Sequence, residues 1–179
     1  MLARTSLLGI LTMLTPTQLT SRDPHYTLST WGALGVTASG DEARIGRVTL
    51  EGHGRSMLLV SLGTNDPHAS ISLYLPDSPD PAPGRYRVSS SWQATDSGAR
   101  VVHATLMAGS VERPLGWFEG QSGWVTLQRG EDGMVIGEFE FAARGFLRDN
   151  PDNERLKVMV RGSFRVEREE LAARRSFAW

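Results

Sequence analysis

Four histidines are the residues of this 179-residue chain best suited to metal binding or proton transfer: His25, His53, His68 and His103. None of them belongs to an H-x-H or H-E-x-x-H motif, whose spacing would bring two ligands to one side of an element. Glu51 and His53 would share one side of a strand end, which supplies only two ligands. We therefore interpret this segment as an exposed turn and predict no metal site.

Ser122 is the candidate nucleophile, because it lies in the run Gly120, Gln121, Ser122, Gly123. A nucleophile elbow has a second glycine two residues after the serine and leads from a strand into a helix. Here the glycine follows the serine directly, and the next residues have a strand pattern. We interpret the run as a plain loop and predict no catalytic triad.

Glu138 and Glu140 are the acidic pair with the best spacing for glycoside hydrolysis. Two positions along a strand separate them by roughly 7 Å on one face, a distance compatible with an acid and base pair. However, Lys157, Arg161 and Arg165 fall on one face of the next predicted strand. We therefore predict a solvated, ion-paired surface, and a carboxylate-based hydrolase remains the alternative.

Two loops are rich in oxygen ligands. One contains Asp77, Ser78, Pro79 and Asp80, and the other runs over residues 149–153. Calcium takes about six to eight oxygens, and neither loop has the spacing of a calcium-binding loop. Asp, Asn and Pro are also ordinary turn residues. No glycine-rich phosphate loop precedes a helix, so we predict no cofactor.

Trp31, Trp92, Trp117, Trp124 and Tyr74 are the aromatic residues that we expect to be at least partly exposed. Exposed flat rings on a β-domain can stack on sugars, which makes carbohydrate one candidate ligand and another protein the second. No spacing in the sequence places the tryptophans on one face. Packing in the core or at its rim is therefore the favoured interpretation, and the ligand stays unknown.

The charge balance argues against nucleic acid as a partner. The chain has 19 Lys and Arg against 20 Asp and Glu, a formal net charge of −1, whereas nucleic-acid binders usually carry a basic excess. There is no cysteine, which excludes disulfides, thiol catalysis and cysteine zinc clusters.

The N-terminus has the layout of an export signal. Arg4 provides a positive charge, residues 7–14 form a short apolar run, and polar residues follow. The apolar run is shorter than the roughly 20 residues that span a bilayer, so we predict no stable membrane span. We expect residues 1–24 to be a signal peptide or a disordered segment, and the protein to be periplasmic or extracellular.

Apolar residues alternate with polar ones over most of the remaining chain, as in β-strands. The clearest cases are residues 156–166 and a hairpin over residues 123–142, which turns at Gly130, Glu131, Asp132 and Gly133. Further strands are predicted at residues 30–38, 45–50, 57–62, 70–75, 85–89 and 101–107. The proline-rich residues 76–83 are interpreted as a surface loop, and residues 167–175 as a short helix or a frayed strand.

These patterns predict an all-β fold: one antiparallel β-sandwich or flattened barrel of about eight to ten strands over residues 25–179. Within it, three runs form a pattern: G-x-V-T-apolar from Gly123, G-x-F-x-F-x-A around Gly137, and G-x-F-x-V from Gly162. The pattern resembles that of a group of uncharacterised exported bacterial all-β domains. The resemblance implies the fold and export, and it transfers no functional residue.

We therefore expect an exported, non-enzymatic binding or structural module. A small outer-membrane β-barrel is a further alternative, because Phe177 and Trp179 resemble the terminal signal of such barrels. The charges predicted on the outward faces argue against it, since Lys or Arg facing lipid costs about 2–4 kcal/mol near the bilayer midplane.

Overall fold

The computed structural model describes residues 23–50, 55–78, 80–92, 99–131, 133–150 and 155–167. The predicted signal segment lies almost entirely outside this range, as does the predicted C-terminal helix beyond Glu167. The described residues contain no α-helix and ten strands. The strands are β1 His25–Gly32, β2 Thr37–Gly40, β3 Ala43–Leu50, β4 Arg55–Leu62, β5 Ala69–Pro76, β6 Gly84–Val88, β7 Val101–Gly109, β8 Pro114–Arg129, β9 Val135–Leu147 and β10 Leu156–Val166.

All ten strands belong to one sheet, in the order β2-β1-β10-β9-β8-β6-β7-β5-β4-β3. The sheet curls into a half-barrel, so the predicted all-β fold is confirmed. Its pairs are antiparallel except β6 with β7, which are parallel. The parallel pair arises because short β6 lies between the second half of β8 and the start of β7, while the first half of β8 pairs with β7 directly.

The predicted hairpin is confirmed and is longer than its pattern indicated. Its turn is closed by hydrogen bonds from Gly130 N–H to the Met134 carbonyl (2.8 Å) and from Gly133 N–H to the Gly130 carbonyl (3.1 Å). Strand β8 begins at Pro114 and includes Ser122, so the interpretation of residues 120–123 as a plain loop was wrong. A register shift between Gly120 and Ser122 marks a bulge there, and such a bulge breaks the alternation on which the prediction relied.

The strand predicted over residues 30–38 was also wrong, because the chain turns within it. Strand β1 starts earlier, at His25, and residues 33–36 connect it to β2. The buried Thr30 holds this turn: its hydroxyl donates to the Leu34 carbonyl (2.9 Å) and accepts from the Val36 N–H (3.0 Å). Gly32, whose φ is 101°, and Gly35 also lie in this segment, so glycines were present as a turn signal that the alternation-based prediction did not use.

The two faces of the sheet differ. Buried apolar side chains from all ten strands, with Ala38 as the contribution of β2, fill the concave face and form one core cluster. On the convex face, a smaller buried cluster consists of Val48, Met57 and Tyr74. The concave side is thus occupied by the chain itself.

Four phenylalanines of the concave face each lie opposite a glycine on the neighbouring strand. The pairs are Phe118 with Gly145, Phe141 with Gly123, Phe139 with Gly162, and Phe164 with Gly137. All four rings are at most 1 % exposed. The glycines leave room that the rings fill, which explains physically why glycines and phenylalanines alternate in this half of the sequence.

The edge strands β2 and β3 are joined by Asp41 and Glu42, and contacts near this link hold the two ends of the sheet together. The buried Tyr26 of β1 donates its hydroxyl to Asp66 Oδ2 at 2.9 Å. The Glu42 carboxylate accepts from the Asn65 backbone N–H (2.8 Å) and side-chain amide (2.6 Å). We call this set of contacts the seam.

Candidate functional site

The convex face carries Trp31, Trp117 and Trp124, because each alternates along its strand with residues that point into the core. Sequence spacing had not placed the tryptophans on one face. Trp117 and Trp124 are an odd number of residues apart on β8 and share a face because of the bulge between Gly120 and Ser122, while Trp31 comes from β1. Trp31 and Trp117 are 46 % and 47 % exposed. Tyr74, which we had expected to be partly exposed, is instead buried against Trp92, with ring centroids 5.0 Å apart.

Trp117 and Phe146 are direct cross-strand partners on β8 and β9. Phe146 is 38 % exposed and Leu115, on the same strand as Trp117, is 50 % exposed. We call these three residues the aromatic shelf. They line an open groove of about 500 Å³ together with Pro114, Gly116, Leu147, Arg148 and Asn150. Phe146 and Leu115 were not among the predicted exposed residues, because the alternation of apolar and polar residues does not show how exposed a strand end is.

Cationic side chains surround Phe146. The Arg155 guanidinium lies over its ring, 5.7 Å from the centroid. Arg148 lines the groove, and the exposed Arg144 lies two residues before Phe146 on the same face of β9. The register partner of Arg144 on β10 is Lys157, which is also exposed. The shelf is therefore an apolar surface with a positive border.

A second groove of about 500 Å³ adjoins the shelf and shares Leu115, Leu147 and Asn150 with the first. Its apolar side chains come from the turn after β1 and from the start of β10, including Leu34, Val36 and Leu156. It lies where the turns after β1, β4 and β9 converge. The apolar surface of the shelf thus continues to this edge of the half-barrel.

The predicted acidic pair lies on the convex face. Glu140 has Arg161 as its cross-strand partner, as expected, and Glu138 has Ser163. Lys157 does not face either glutamate, because its partner is Arg144. Glu138 is exposed and Glu140 is half-buried, and neither lines the two grooves described above. The arrangement fits an exposed polar surface.

The acidic loops have structural partners where the structure describes them. Asp77 forms an ion pair with Arg47 at 2.9 Å, and Asp80 forms one with Arg129. Asp149 is exposed, while Asp152 and Asn153 lie outside the described residues. These two ion pairs join the loop after β5 to β3 and β8, which gives its carboxylates a tethering role.

The described histidines lie on different elements. His25 is at the start of β1, His68 is in the loop before β5 and lines the second groove, and Glu51 and His53 lie outside the described residues. Among the described residues, no three His, Asp or Glu side chains are grouped as metal ligands would be.

His103 is the one candidate whose environment is unusual. It is 1 % exposed on the convex face of β7, and its ring stacks on Trp92 with centroids 3.7 Å apart. Its Nδ1 lies 3.3 Å from the Ser89 carbonyl, and its Nε2 lies 3.6 Å from Glu119 Oε1. Burial lowers the pKa of His103 to about 4, although the contact with the Ser89 carbonyl acts in the opposite direction.

Comparison with known proteins gives no match to a family model, to a curated protein or to a solved structure. Within the described part of the chain, no helix is long and apolar enough to cross a membrane.

Proposed function

We propose that this protein is an exported, non-enzymatic binding module that holds its ligand on the aromatic shelf of a filled half-barrel. The observation that carries the proposal is the placement of Trp117 beside Phe146 on adjacent strands, with both rings 38 % or more exposed. Two large rings exposed side by side are costly to leave in water and are typical of binding sites. The layout of the N-terminal sequence supports export.

The concave face supports a surface site rather than an internal one. Half-barrels can hold small ligands inside, but here buried side chains such as Phe118, Phe139 and Phe141 fill the interior. The candidate acids Glu138 and Glu140 lie on the convex face, away from both grooves. This placement favours binding over carboxylate-based hydrolysis, which needs acids facing a cleft.

Binding of the full chain to a panel of soluble polysaccharides and peptides tests the proposal. We expect Trp117→Ala and Phe146→Ala to lose retention by the panel members that the natural protein binds. The matched control is Trp31→Ala, which removes an equally exposed tryptophan whose cross-strand partner is Met159. The proposal is overturned if nothing in the panel binds, or if the Trp31 variant loses as much binding as the shelf variants.

A further inference from the structure

We infer that the ligand of the aromatic shelf is an acidic polysaccharide, whose sugar rings stack on Trp117 and Phe146 while its carboxylates contact the surrounding cations. This inference rests on the proposed function and adds the chemical class of the ligand. It is based on two exposed rings, those of Trp117 and Phe146, and on the cationic side chains that lie beside them on and around three adjacent strands.

Arg144 and Lys157 form a like-charged pair beside the shelf. They are direct cross-strand partners on the convex face, and both are exposed. Like charges directly opposite each other destabilise a sheet, and Glu119 on β8 offsets this for Arg144 but not for Lys157. An anion lying over the pair would offset the remaining repulsion, which makes the pair a favourable contact for a negative group.

A negative group at this pair would also lie close to the rings of the shelf. Phe146 follows Arg144 on the same face of β9, and Arg155 lies over the Phe146 ring. Arg148 borders the groove beside Trp117. A ligand stacked on the rings would therefore lie within reach of guanidinium groups, which bind carboxylates in a bidentate manner.

Nearby acidic groups offset only part of this positive border. Glu119 is the other cross-strand partner of Arg144 and offsets its charge, whereas the register partner of Lys157 on β9 is Arg144 itself. Glu112 and Asp149 lie in the flanking turns and are exposed. Cations therefore outnumber acids among the described residues around the rings, and the shelf complements a ligand with spaced negative charges.

The shape of the site favours a glycan over other anions. The groove is open, and its two rings stand on neighbouring strands, whose backbones lie about 4.8 Å apart. Pyranose rings present flat apolar faces to such surfaces. Single-stranded nucleic acid also stacks on aromatic residues, but its binding usually accompanies a strong basic excess, whereas this chain has a net charge of −1.

The test uses the full chain with polygalacturonate as the acidic probe and dextran as the neutral one. Oligo(dT) and phosphatidylglycerol vesicles are further probes. We expect the protein to bind polygalacturonate and not dextran, with affinity falling as salt is added because the contacts are ionic. Lys157→Gln and Arg144→Gln should each weaken binding by about tenfold, the loss typical of one charge-assisted contact. Arg161→Gln is the matched control, since Arg161 lies on the same face of β10 opposite Glu140.

Each other outcome overturns the inference in a recognisable way. Equal binding of dextran, or unchanged affinity in the Lys157 and Arg144 variants, shows that the charges do not select the ligand. Binding only to oligo(dT) or to phosphatidylglycerol vesicles assigns the shelf to a nucleic acid or to a lipid surface. In these cases a loss of binding in Trp117→Ala would leave the proposed function intact, whereas no loss would overturn both.

Discussion

The Nε2 atom of His103 lies 3.6 Å from Glu119 Oε1, and the other ring nitrogen lies 3.3 Å from the Ser89 carbonyl. Both neighbours are hydrogen-bond acceptors, but a neutral imidazole carries only one N–H. The ring is nevertheless buried, with Trp92 stacked on it and Tyr74 as its cross-strand partner. Burial disfavours the charged form, and this effect determines the direction of the pKa shift.

This environment predicts that stability falls on mild acidification. The pKa of His103 is about 4 in the folded chain, against about 6.5 when unfolded. Between these values the unfolded chain binds more protons, so the free energy of unfolding decreases as the pH falls. The free energy of unfolding should fall by roughly 2 kcal/mol between pH 7.5 and pH 5, because each pH unit below about 6.5 lowers it by about 1.36 kcal/mol.

Urea unfolding at the two pH values checks this prediction. His103→Gln should remove most of the pH dependence, whereas His68→Gln, which changes an exposed histidine, should keep it. If the chain becomes more stable at pH 5, the attraction of Glu119 for the protonated ring outweighs burial and the prediction is wrong.

The pairing of glycines with phenylalanines predicts that a single methyl group added at one of these glycines lowers the stability of the fold. In Gly162→Ala the added Cβ would lie 2.5 Å from Phe139 Cζ and would also clash with the backbone carbonyl of Thr27. Neither neighbour can move freely in a packed core, so we expect a loss of about 1–3 kcal/mol. Thermal and urea unfolding measure it.

Gly46→Ala is the control for this substitution. Gly46 also lies in a strand, and a Cβ added there would meet no atom within 4 Å. Its effect should stay within about 0.5 kcal/mol, as for ordinary surface changes. Similar losses in both variants would show that strand glycines matter here for backbone reasons rather than for packing.

The seam predicts a specific role for the hydroxyl of Tyr26. Tyr26→Phe removes the hydrogen bond that the hydroxyl donates to the Asp66 carboxylate. That carboxylate still accepts hydrogen bonds from the backbone N–H groups of His68 (2.7 Å) and Ala69 (3.3 Å). A hydrogen bond to a charged group contributes about 1.5–3 kcal/mol. Tyr86→Phe, which loses a bond to the neutral Ala82 carbonyl, is the comparison and should cost less.

The pH dependence of the Tyr26→Phe effect gives a second readout. Burial alone would raise the pKa of Asp66, but the hydrogen bonds from His68, Tyr26 and Ala69 lower it overall. Because the pKa of Asp66 is lower in the folded chain than the unfolded value of about 3.9, the ionised carboxylate stabilises the fold above that pH. This stabilisation is lost as the pH falls further. The difference in the free energy of unfolding between the natural chain and Tyr26→Phe should therefore be largest near pH 7 and should decrease below pH ~4. A difference that does not change with pH would contradict this account.

Local alternation predicted the strands well where one face is continuously buried, as in β10 and the β8–β9 turn. It failed at residues 30–38, because Thr30 stabilises a turn with its side chain, and at residues 120–123, because a bulge interrupts β8. The aromatic shelf was beyond sequence reasoning for another reason. Trp117 and Phe146 become neighbours only through the register of two strands, and Phe146 is exposed because it lies near the end of β9 on the convex face.

The opposition of Arg144 and Lys157 predicts that a substitution can stabilise the fold while it weakens binding. Lys157→Glu would replace a like-charged cross-strand pair by one of opposite charge on an exposed face. Such pairs contribute about 0.2–1 kcal/mol, so the free energy of unfolding should rise at low salt. The gain should decrease in 1 M salt, where the Debye length falls to about 3 Å.

A matched substitution separates this effect from a general response to negative charge. Arg161→Glu would place a second acid opposite Glu140 on the same two strands, and it should lower stability by a similar amount. Equal effects of the two substitutions would show that cross-strand partners do not control the energetics of this face. A gain in Lys157→Glu together with weaker polygalacturonate binding would mean that the natural chain keeps an unfavourable charge pair at its binding surface, where the ligand rather than the fold compensates for it.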